Sequence, residues 1–269
     1  MTNRLNRKSW NRLSEYYQQH NLISLSDVHY GPFAPGEREE QLLGDIQGKK
    51  VLELGCGGGQ NAIVLAKWGA SRVCGVDQSA KQLEHARSLA RQENVAERTE
   101  FLEANVESIQ QLEDETFDLI ISSHALNYVE DLQAVFRECK RLLRAGGRAV
   151  LCLGHPIVRI AWEALEEDNF SILQEINYFE RNVAWNWDLP DGQKIPFESR
   201  NWNLEDIING LINAGLRLEK VREPKGYDAR DLSPKEIDQI PYRWETDPKF
   251  FDLNQKLPYS LIVVAKKLD

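Results

Sequence analysis

The sequence of 269 residues holds no run of about 18 apolar residues, the length a membrane-spanning helix needs, so no membrane partner is expected. The basic stretch from Met1 to Asn11 is not followed by an apolar core, which predicts no secretory signal. Cysteine is sparse: Cys56, Cys74, Cys139 and Cys152 are scattered, with no Cys-x-x-Cys pair. Reduced thiols in a cytoplasmic protein are the natural reading. Histidine is sparse too, and the spacing of His20, His29, His85, His124 and His155 offers no metal constellation, so no metal is expected. Positive charge is in deficit, with 42 acidic against 33 basic residues and a net charge of −9. A nucleic acid substrate needs a basic footprint, so this balance leans against one unless a local basic patch restores it. Repeats and low-complexity tracts are missing as well. What is left is an ordinary soluble composition, long enough for one elaborated domain or two small ones.

The most informative stretch that is present is Val51-Leu52-Glu53-Leu54-Gly55-Cys56-Gly57-Gly58-Gly59-Gln60. Val51 to Leu54 reads as a buried strand, the glycines as a sharp turn, and Asn61 to Trp68 as an apolar-periodic helix. Strand, glycine turn, helix is the way an α/β sheet opens a nucleotide pocket. Glycine lets the backbone approach a ligand with no β-carbon in the way. A dinucleotide site wants glycine where this chain has Gln60, and it seats pyrophosphate on the helix N-terminus. Glu53, beside the turn, repels phosphate and favours a cationic ligand. Val73 to Val76 reads as a second strand with Asp77 at its end, 20 residues beyond Gly57, where an acid takes ribose hydroxyls in such folds. Cys56 reads as a small residue filling the turn rather than a nucleophile.

Further along, Ser79 is a good N-cap for a helix reaching Gln92. Strands are expected at Glu100 to Glu103, Asp118 to Ser122 and Arg148 to Leu153. Between the last two, a helix from Asp131 to Arg144 carries Leu132, Val135, Phe136, Cys139, Leu142 and Leu143 on one stripe, with Gly146-Gly147 as its C-cap. Strands spaced by helices imply a parallel sheet with right-handed crossovers. Before this core, Met1 to Gly31 has a helical pattern, and Glu37 to Leu43 looks like a short helix. After it, Gly154 to Asn201 shows no βα unit. It holds Trp162, Phe170, Tyr178, Phe179, Trp185, Trp187 and Phe197, with a turn at Pro190-Asp191-Gly192. A helix at Asn203 to Ala214, a strand at Leu216 to Val221, a second irregular stretch and a final strand at Tyr259 to Ala265 complete the chain.

The Glu53-to-Gly59 turn together with Gly75-Val76-Asp77-Gln78-Ser79 resembles the cofactor site of class I S-adenosylmethionine (SAM) methyltransferases. Asp118-Leu-Ile-Ile-Ser-Ser and Leu142-Leu-Arg-Ala-Gly-Gly resemble that family's later motifs, and the chain is similar to bacterial small-molecule methyltransferases. The resemblance implies a Rossmann-like α/β fold: a seven-stranded, mostly parallel sheet with helices on both faces and the last strand antiparallel beside the sixth. Aromatic-rich insertions would follow the fifth and sixth strands. The chain then divides as one domain, 1–269: a helical cap at 1–45, a SAM-binding core at 46–153, an acceptor-pocket insertion at 154–201, and a C-terminal part at 202–269 with a second insertion at 224–257.

The resemblance also implies roles. Glu53 would take the methionine end of SAM, and Gly55, Cys56, Gly57 and Gly59 would supply backbone contacts. Asp77 would hold the ribose diol, with Gln78 and Gln82 flanking ribose and adenine. Asn105 would read the adenine amino group, Val106 would offer its backbone N–H, Ser122 would approach the methionine, and Tyr17 would close over the cofactor or anchor its helix in the core. His155 and His124, each after a strand's C-terminal end, are the candidate bases; histidine's pKa suits proton removal, and the alternative is a structural, hydrogen-bonded role. His20, His29 and His85 read as surface or structural. The aromatic insertion reads as an acceptor pocket for a small, planar or cationic molecule, or as a lid with its own small core. Alternatives stay open: an RNA-modifying methyltransferase, a non-enzymatic SAM-binding regulatory protein, and an NAD-dependent dehydrogenase, against which Glu53 and Gln60 speak.

Overall fold

The computed structural model describes residues 2–158, 177–244 and 246–268. The chain opens with α1 (Thr2–His20), followed by β1 (Asn21–Ile23) and α2 (Glu37–Glu40). The helical pattern of Met1 to Gly31 is therefore cut at His20. Asn21, Leu22 and Ile23 pair instead with β10 (Tyr242–Trp244), more than two hundred residues away in sequence, a partner that local periodicity does not reveal. α2 is shorter than Glu37 to Leu43 because Gln41 turns into the left-handed region at φ 51°.

The core alternates as expected. β2 (Lys50–Leu54) leads through the glycine turn into α3 (Gln60–Lys67), then β3 (Arg72–Asp77), α4 (Ala80–Gln92), β4 (Thr99–Glu103), β5 (Phe117–Ser123), α5 (Leu132–Leu142) and β6 (Leu143–Gly154). Ser79 caps α4, accepting from the Gln82 N–H, and Asp131 caps α5, accepting from the Ala134 N–H. The glycine pair Gly146-Gly147 does not close α5. The helix ends at Leu142, and Leu143 is already extended. Gly146, at φ 73°, lies inside β6 where its register with β5 shifts. Leu143 is pulled into the strand because it pairs with Phe117, a long-range contact that outweighs the local stop signal.

The C-terminal part adds a hairpin of β7 (Asn182–Asp188) and β8 (Lys194–Arg200), then α6 (Leu204–Asn213), β9 (Leu216–Arg222), α7 (Pro234–Ile237), β10, α8 (Pro248–Asn254) and β11 (Ser260–Lys267). The main sheet has seven strands in the order β4-β3-β2-β5-β6-β11-β9. The strands from β4 to β6 are parallel, and β11 inserts between β6 and β9, antiparallel to both. Alternate residues of each strand serve opposite faces. Val51, Val73, Ile121 and Val150 pack with Ile63, Leu65 and Leu83 on one side. Leu52, Val76, Ile120 and Leu151 pack with Val135, Phe136, Ile207 and Leu211 on the other. Helices on both faces explain why these strands read as nearly unbroken apolar runs.

The hairpin lies on α1. Leu13, Ile195 and Phe197 are buried together, with Trp10, Tyr16, Tyr17, Tyr128, Trp185 and Trp187 around them. Asn6, fully buried, clips the two together: its Nδ2 donates to the Glu198 carbonyl at 2.7 Å and its Oδ1 accepts the Glu198 N–H at 3.0 Å. Trp162 and Phe170, counted with the aromatic insertion, lie outside the described residues. No helix among the described residues is long and apolar enough to cross a membrane.

Candidate active site

The C-terminal ends of β2, β3 and β5 open on a cavity of about 820 Å³, a size usual for small-molecule sites. One end is built by the glycine turn. Gly55, Gly57 and Gly59 take φ of 70, 50 and 80°, a region where a β-carbon is penalised. Gly57 lines the cavity, and a Cβ there would have no atom within 4 Å, so its backbone faces open space. A Cβ on Gly55 would come 2.1 Å from the Ala125 Cβ, so the turn packs directly on the chain leaving β5.

Two acids frame this end. Asp77 Oδ2 accepts the Gly57 N–H at 2.9 Å and its Oδ1 accepts the Ser79 N–H at 2.8 Å. Burial raises its pKa, opposed by the N–H bonds from Ser79, Gly57 and Gln78. Glu53 is buried, and its Oε2 has no hydrogen-bond partner among the described residues. Burial pushes the Glu53 carboxyl up to about 8; the Ala62 N–H and the Asn61 amide favour the charged form, and Asp77 adds to the rise. The Asn61 Nδ2 stands close but is itself without a hydrogen bond of ordinary geometry. A buried acceptor and a buried donor, both unpaired on the cavity wall, fit the ammonium and carboxylate of an amino-acid group. The Cys56 thiol is pushed well above its ordinary value by burial, then by the charges of Asp77 and Glu53, so it is no thiolate nucleophile.

α1 covers this end through a chain of amides. Gln18 Oε1 accepts from Gln60 Nε2 at 2.6 Å, and Gln18 Nε2 donates to Gln82 Oε1 at 2.7 Å. A Cβ on Gly58 would strike the Gln18 amide, so glycine there admits the cap.

The other end is aromatic. Trp10, Tyr17, Tyr128, Trp185, Trp187, Tyr242, Trp244 and Tyr259 line it. The Tyr17 and Tyr242 hydroxyls lie 2.5 Å apart. Burial pushes Tyr17 up to about 12, against the bond from Tyr242. His29 and His124 stand on the same wall. Burial, and then the charge of His124, bring His29 down to about 3; burial brings His124 to about 4, against a bond with the Tyr30 backbone. Both rings are neutral at physiological pH.

Residues 52–151 match the family model described as a methyltransferase domain. The chain is 31% identical over 188 residues to the uncharacterized methyltransferase YbaJ of Bacillus subtilis, covering 67% of this chain and 71% of that protein. The chain belongs to the SAM-dependent methyltransferase family. It is an enzyme of that class, and SAM is its cofactor. It is also 37% identical over 103 residues to the ubiquinone biosynthesis O-methyltransferase of Neisseria meningitidis serogroup C, covering 38% of this chain and 43% of that one. Its fold is shared with a SAM-dependent methyltransferase structure from Mesorhizobium loti, at a TM-score of 0.59 and 23% identity, covering 85% of this chain and 95% of that one.

In this methyltransferase the structure brings together most of the residues singled out in the sequence. Tyr17, Glu53, Gly55, Cys56, Gly57, Asp77, Gln78, Gln82, Asn105, Val106 and His124 all line the one cavity. Asn105 already spends its Oδ1 on the Glu107 N–H at 3.0 Å. Three residues fall elsewhere. Gly59 is the N-cap of α3, and a Cβ there would crowd Ala86 and Phe101, so packing accounts for it. Ser122 is buried and donates to the Leu54 carbonyl at 2.8 Å, tying β5 to β2. His155 does not reach the cavity wall. Its Nε2 bonds Glu223 at 2.8 Å and its Nδ1 accepts the Ile157 N–H at 3.2 Å, so both ring nitrogens are engaged away from the site.

Sequence reasoning missed His29, read as surface or structural, which lines the cavity. It also missed the convergence of Tyr128, Tyr242 and Tyr259 with Trp185 and Trp187. No spacing signals either, since these residues come from five separate segments. Among the described residues no group of His, Cys, Asp and Glu could hold a metal.

Proposed function

We propose that this methyltransferase moves the methyl group of SAM to a small, planar organic acceptor held by the aromatic end of the cavity. The observation that carries the reading is continuity: one cavity joins the acid-and-glycine end to the aromatic end. Glu53 and Asn61 hold the amino-acid part of SAM, Asp77 the ribose hydroxyls, and the Gly55–Gly57 backbone approaches the chain between them. Gln78 and Gln82 flank the nucleoside, with Asn105 and Val106 at the adenine. When bound, SAM supplies a methyl group on a cationic sulfur. The protein's part is to align donor and acceptor and keep water out. His124, which lines the cavity, is the candidate base, in preference to His155.

A small acceptor is favoured because the whole cavity, donor end included, holds about 820 Å³. A relative named for ubiquinone biosynthesis supports an aromatic acceptor. The net charge of −9 weighs against RNA. Four cysteines that are all free and buried support a reducing, cytoplasmic setting.

Calorimetry with SAM, its demethylated product and NAD tests the donor half. Micromolar SAM binding, about −8 kcal/mol, with none for NAD is expected. Transfer of a labelled methyl from SAM into fractionated metabolite pools tests the acceptor half. Label appearing only in RNA, or SAM binding with no label transferred to any pool, overturns the small-molecule reading.

A further inference from the structure

Four tyrosines from four segments converge on the aromatic end of the cavity. Tyr17 comes from α1, Tyr128 from the turn after β5, Tyr242 from β10, and Tyr259 directly precedes β11. Two of their hydroxyls are spent on each other, with the Tyr17 and Tyr242 oxygens 2.5 Å apart. Edge-to-face contacts seat the other two rings around that pair. Trp10 bridges Tyr17 and Tyr128, at ring separations of 5.3 and 5.5 Å. Trp244 bridges Tyr242 and Tyr259, at 5.4 and 6.4 Å. The hydroxyls are near enough to sense one another. Burial raises the pKa of Tyr128, and the charges of Tyr17 and Tyr259 add to the rise. Burial and then the charge of Tyr17 push Tyr259 up to about 12. Tyr242 stands well above its ordinary value through burial, then Tyr17, Tyr259 and Tyr128.

Tyr128 and Tyr259 are the free pair. Neither hydroxyl bonds a described residue, and neither is among the buried polar atoms that are sealed off without a partner. Burial dominates both titrations, so both oxygens lie inside the molecule. An oxygen that is inside, unbonded and unsealed opens on the cavity its residue lines. Both hydroxyls keep their protons at physiological pH. The backbone fixes where they stand relative to the donor end. The Tyr128 N–H donates to the Ala125 carbonyl at 3.0 Å, and Ala125 packs on Gly55. The Tyr259 ring stacks on His124 at 5.6 Å, and its carbonyl accepts the His155 N–H at 2.9 Å.

We propose that the Tyr128 and Tyr259 hydroxyls recognise the acceptor by donating to one carbonyl oxygen, which makes the acceptor a flat, conjugated carbonyl compound bound uncharged. The proposal rests on the SAM-dependent reading and narrows its acceptor. A carbonyl oxygen has two lone pairs and no proton, so it takes one proton from each phenol. Phenols suit the task because the ring draws lone-pair density from the oxygen, making the hydroxyl a better donor than acceptor. A carboxylate could take the same two protons. Among the described residues lining the cavity, however, none is a lysine or arginine, and a buried charge without a partner is costly. A protonated amine would use the phenols as acceptors, their weaker role, and would set a second positive charge beside the sulfonium of SAM. The tryptophans of the same wall then hold the flat body of the molecule while the two hydroxyls fix its direction.

Tyr128→Phe and Tyr259→Phe test this, since each keeps its ring and loses one proton donor. Binding is read in the complex with S-adenosylhomocysteine. Acetophenone and α-methylstyrene are the main probes: they share one flat shape and differ in C=O against C=CH₂. Benzoate and benzylamine supply the charged comparisons. Each variant is expected to weaken acetophenone by about two- to tenfold, the worth of one hydrogen bond, and to leave α-methylstyrene unchanged. The infrared carbonyl stretch of bound acetophenone should lie at lower frequency in the wild-type complex and rise in each variant, a shift that a purely structural role for the tyrosines would not give. Equal losses for acetophenone and α-methylstyrene, or a stretch that ignores both substitutions, overturn the proposal. So does a benzoate or benzylamine affinity that exceeds that of acetophenone and falls in the variants, or a wild-type complex that binds no acetophenone. S-adenosylhomocysteine binding, measured first in the same titration, reports on the donor site separately.

Discussion

Glu53 is an acid kept uncharged until something cationic arrives. Its pKa of about 8 in the folded chain exceeds the ordinary carboxylate value, because burial disfavours the charge. Below the ordinary value the group is neutral folded and unfolded, so the fold is penalised in neither state. As pH rises from there to about 8, the unfolded chain ionises while the folded one does not, and stability falls; above about 8 the loss is complete. An ammonium beside Oε2 reverses the preference and pulls the proton off. SAM should therefore bind with release of close to one proton at pH 7. Affinity should rise by up to about tenfold per pH unit from pH 6 and level off near pH 8. Calorimetry in two buffers of different ionisation enthalpy measures the proton count. Glu53→Gln should bind more weakly with no pH slope; a slope that survives in that variant would assign the proton to another group. The sequence made this residue legible in kind, as a carboxylate beside a glycine turn. It did not reveal the unpaired Oε2, because depth of burial is a property of the finished sheet.

At the scale of elements, the α1–hairpin layer builds much of the aromatic end of the cavity. β7 alternates exposed and half-buried residues, β8 buries Ile195 and Phe197, and their apolar face packs on α1 and on Tyr128. A lone two-stranded hairpin is marginal in water, so the contact with α1 holds it in place. Asn6→Ala should release it. The change removes two half-buried hydrogen bonds between α1 and the Glu198 backbone, a cost of about 0.5–1.5 kcal/mol for each. Hydrogen exchange at Val183 to Glu198 should accelerate while β2, β3 and β5 stay protected, and acceptor turnover should drop more than SAM affinity. Exchange confined to α1, with the hairpin still protected, would show that the hairpin stands on other contacts. The hairpin's turn was legible from Pro190-Asp191-Gly192, since Gly192 takes φ 81°. Its docking was not, because nothing in Asn6 or Leu13 advertises a partner nearly two hundred residues away.

Over the whole molecule, the parallel core was readable because β2, β3 and β5 are buried on both faces and α4 and α5 have capped starts. The cavity walls were not, because they are a joint among remote segments. Tyr17 meets Tyr242 across a separation of 225 residues, and β1 pairs with β10 over a span as long. These contacts involve three-residue strands and single side chains, too short for any periodicity to register. Their consequence is thermodynamic. A ligand filling the donor end touches α1, the β2 turn and the end of β3 together, so it should stabilise the chain as one unit. Binding to the folded form alone contributes about 2.7 kcal/mol at a ligand concentration 100-fold above its Kd. For a chain of this size each kcal/mol moves the melting midpoint by about 2–4 °C, so SAM should raise it by about 5–11 °C. Asp77→Ala removes an acceptor of charge-assisted hydrogen bonds, and a tenfold loss of affinity at the same SAM concentration takes away about 1.4 kcal/mol, near half of that shift. Tyr242→Phe removes the hydroxyl and with it the links to Tyr17 and Asn21. It should lower the midpoint of the free protein yet keep the full increment with SAM. Scanning calorimetry separates the two: an undiminished SAM shift in Asp77→Ala would place the ribose away from Asp77, and a lost shift in Tyr242→Phe would make the remote joint part of the donor site itself.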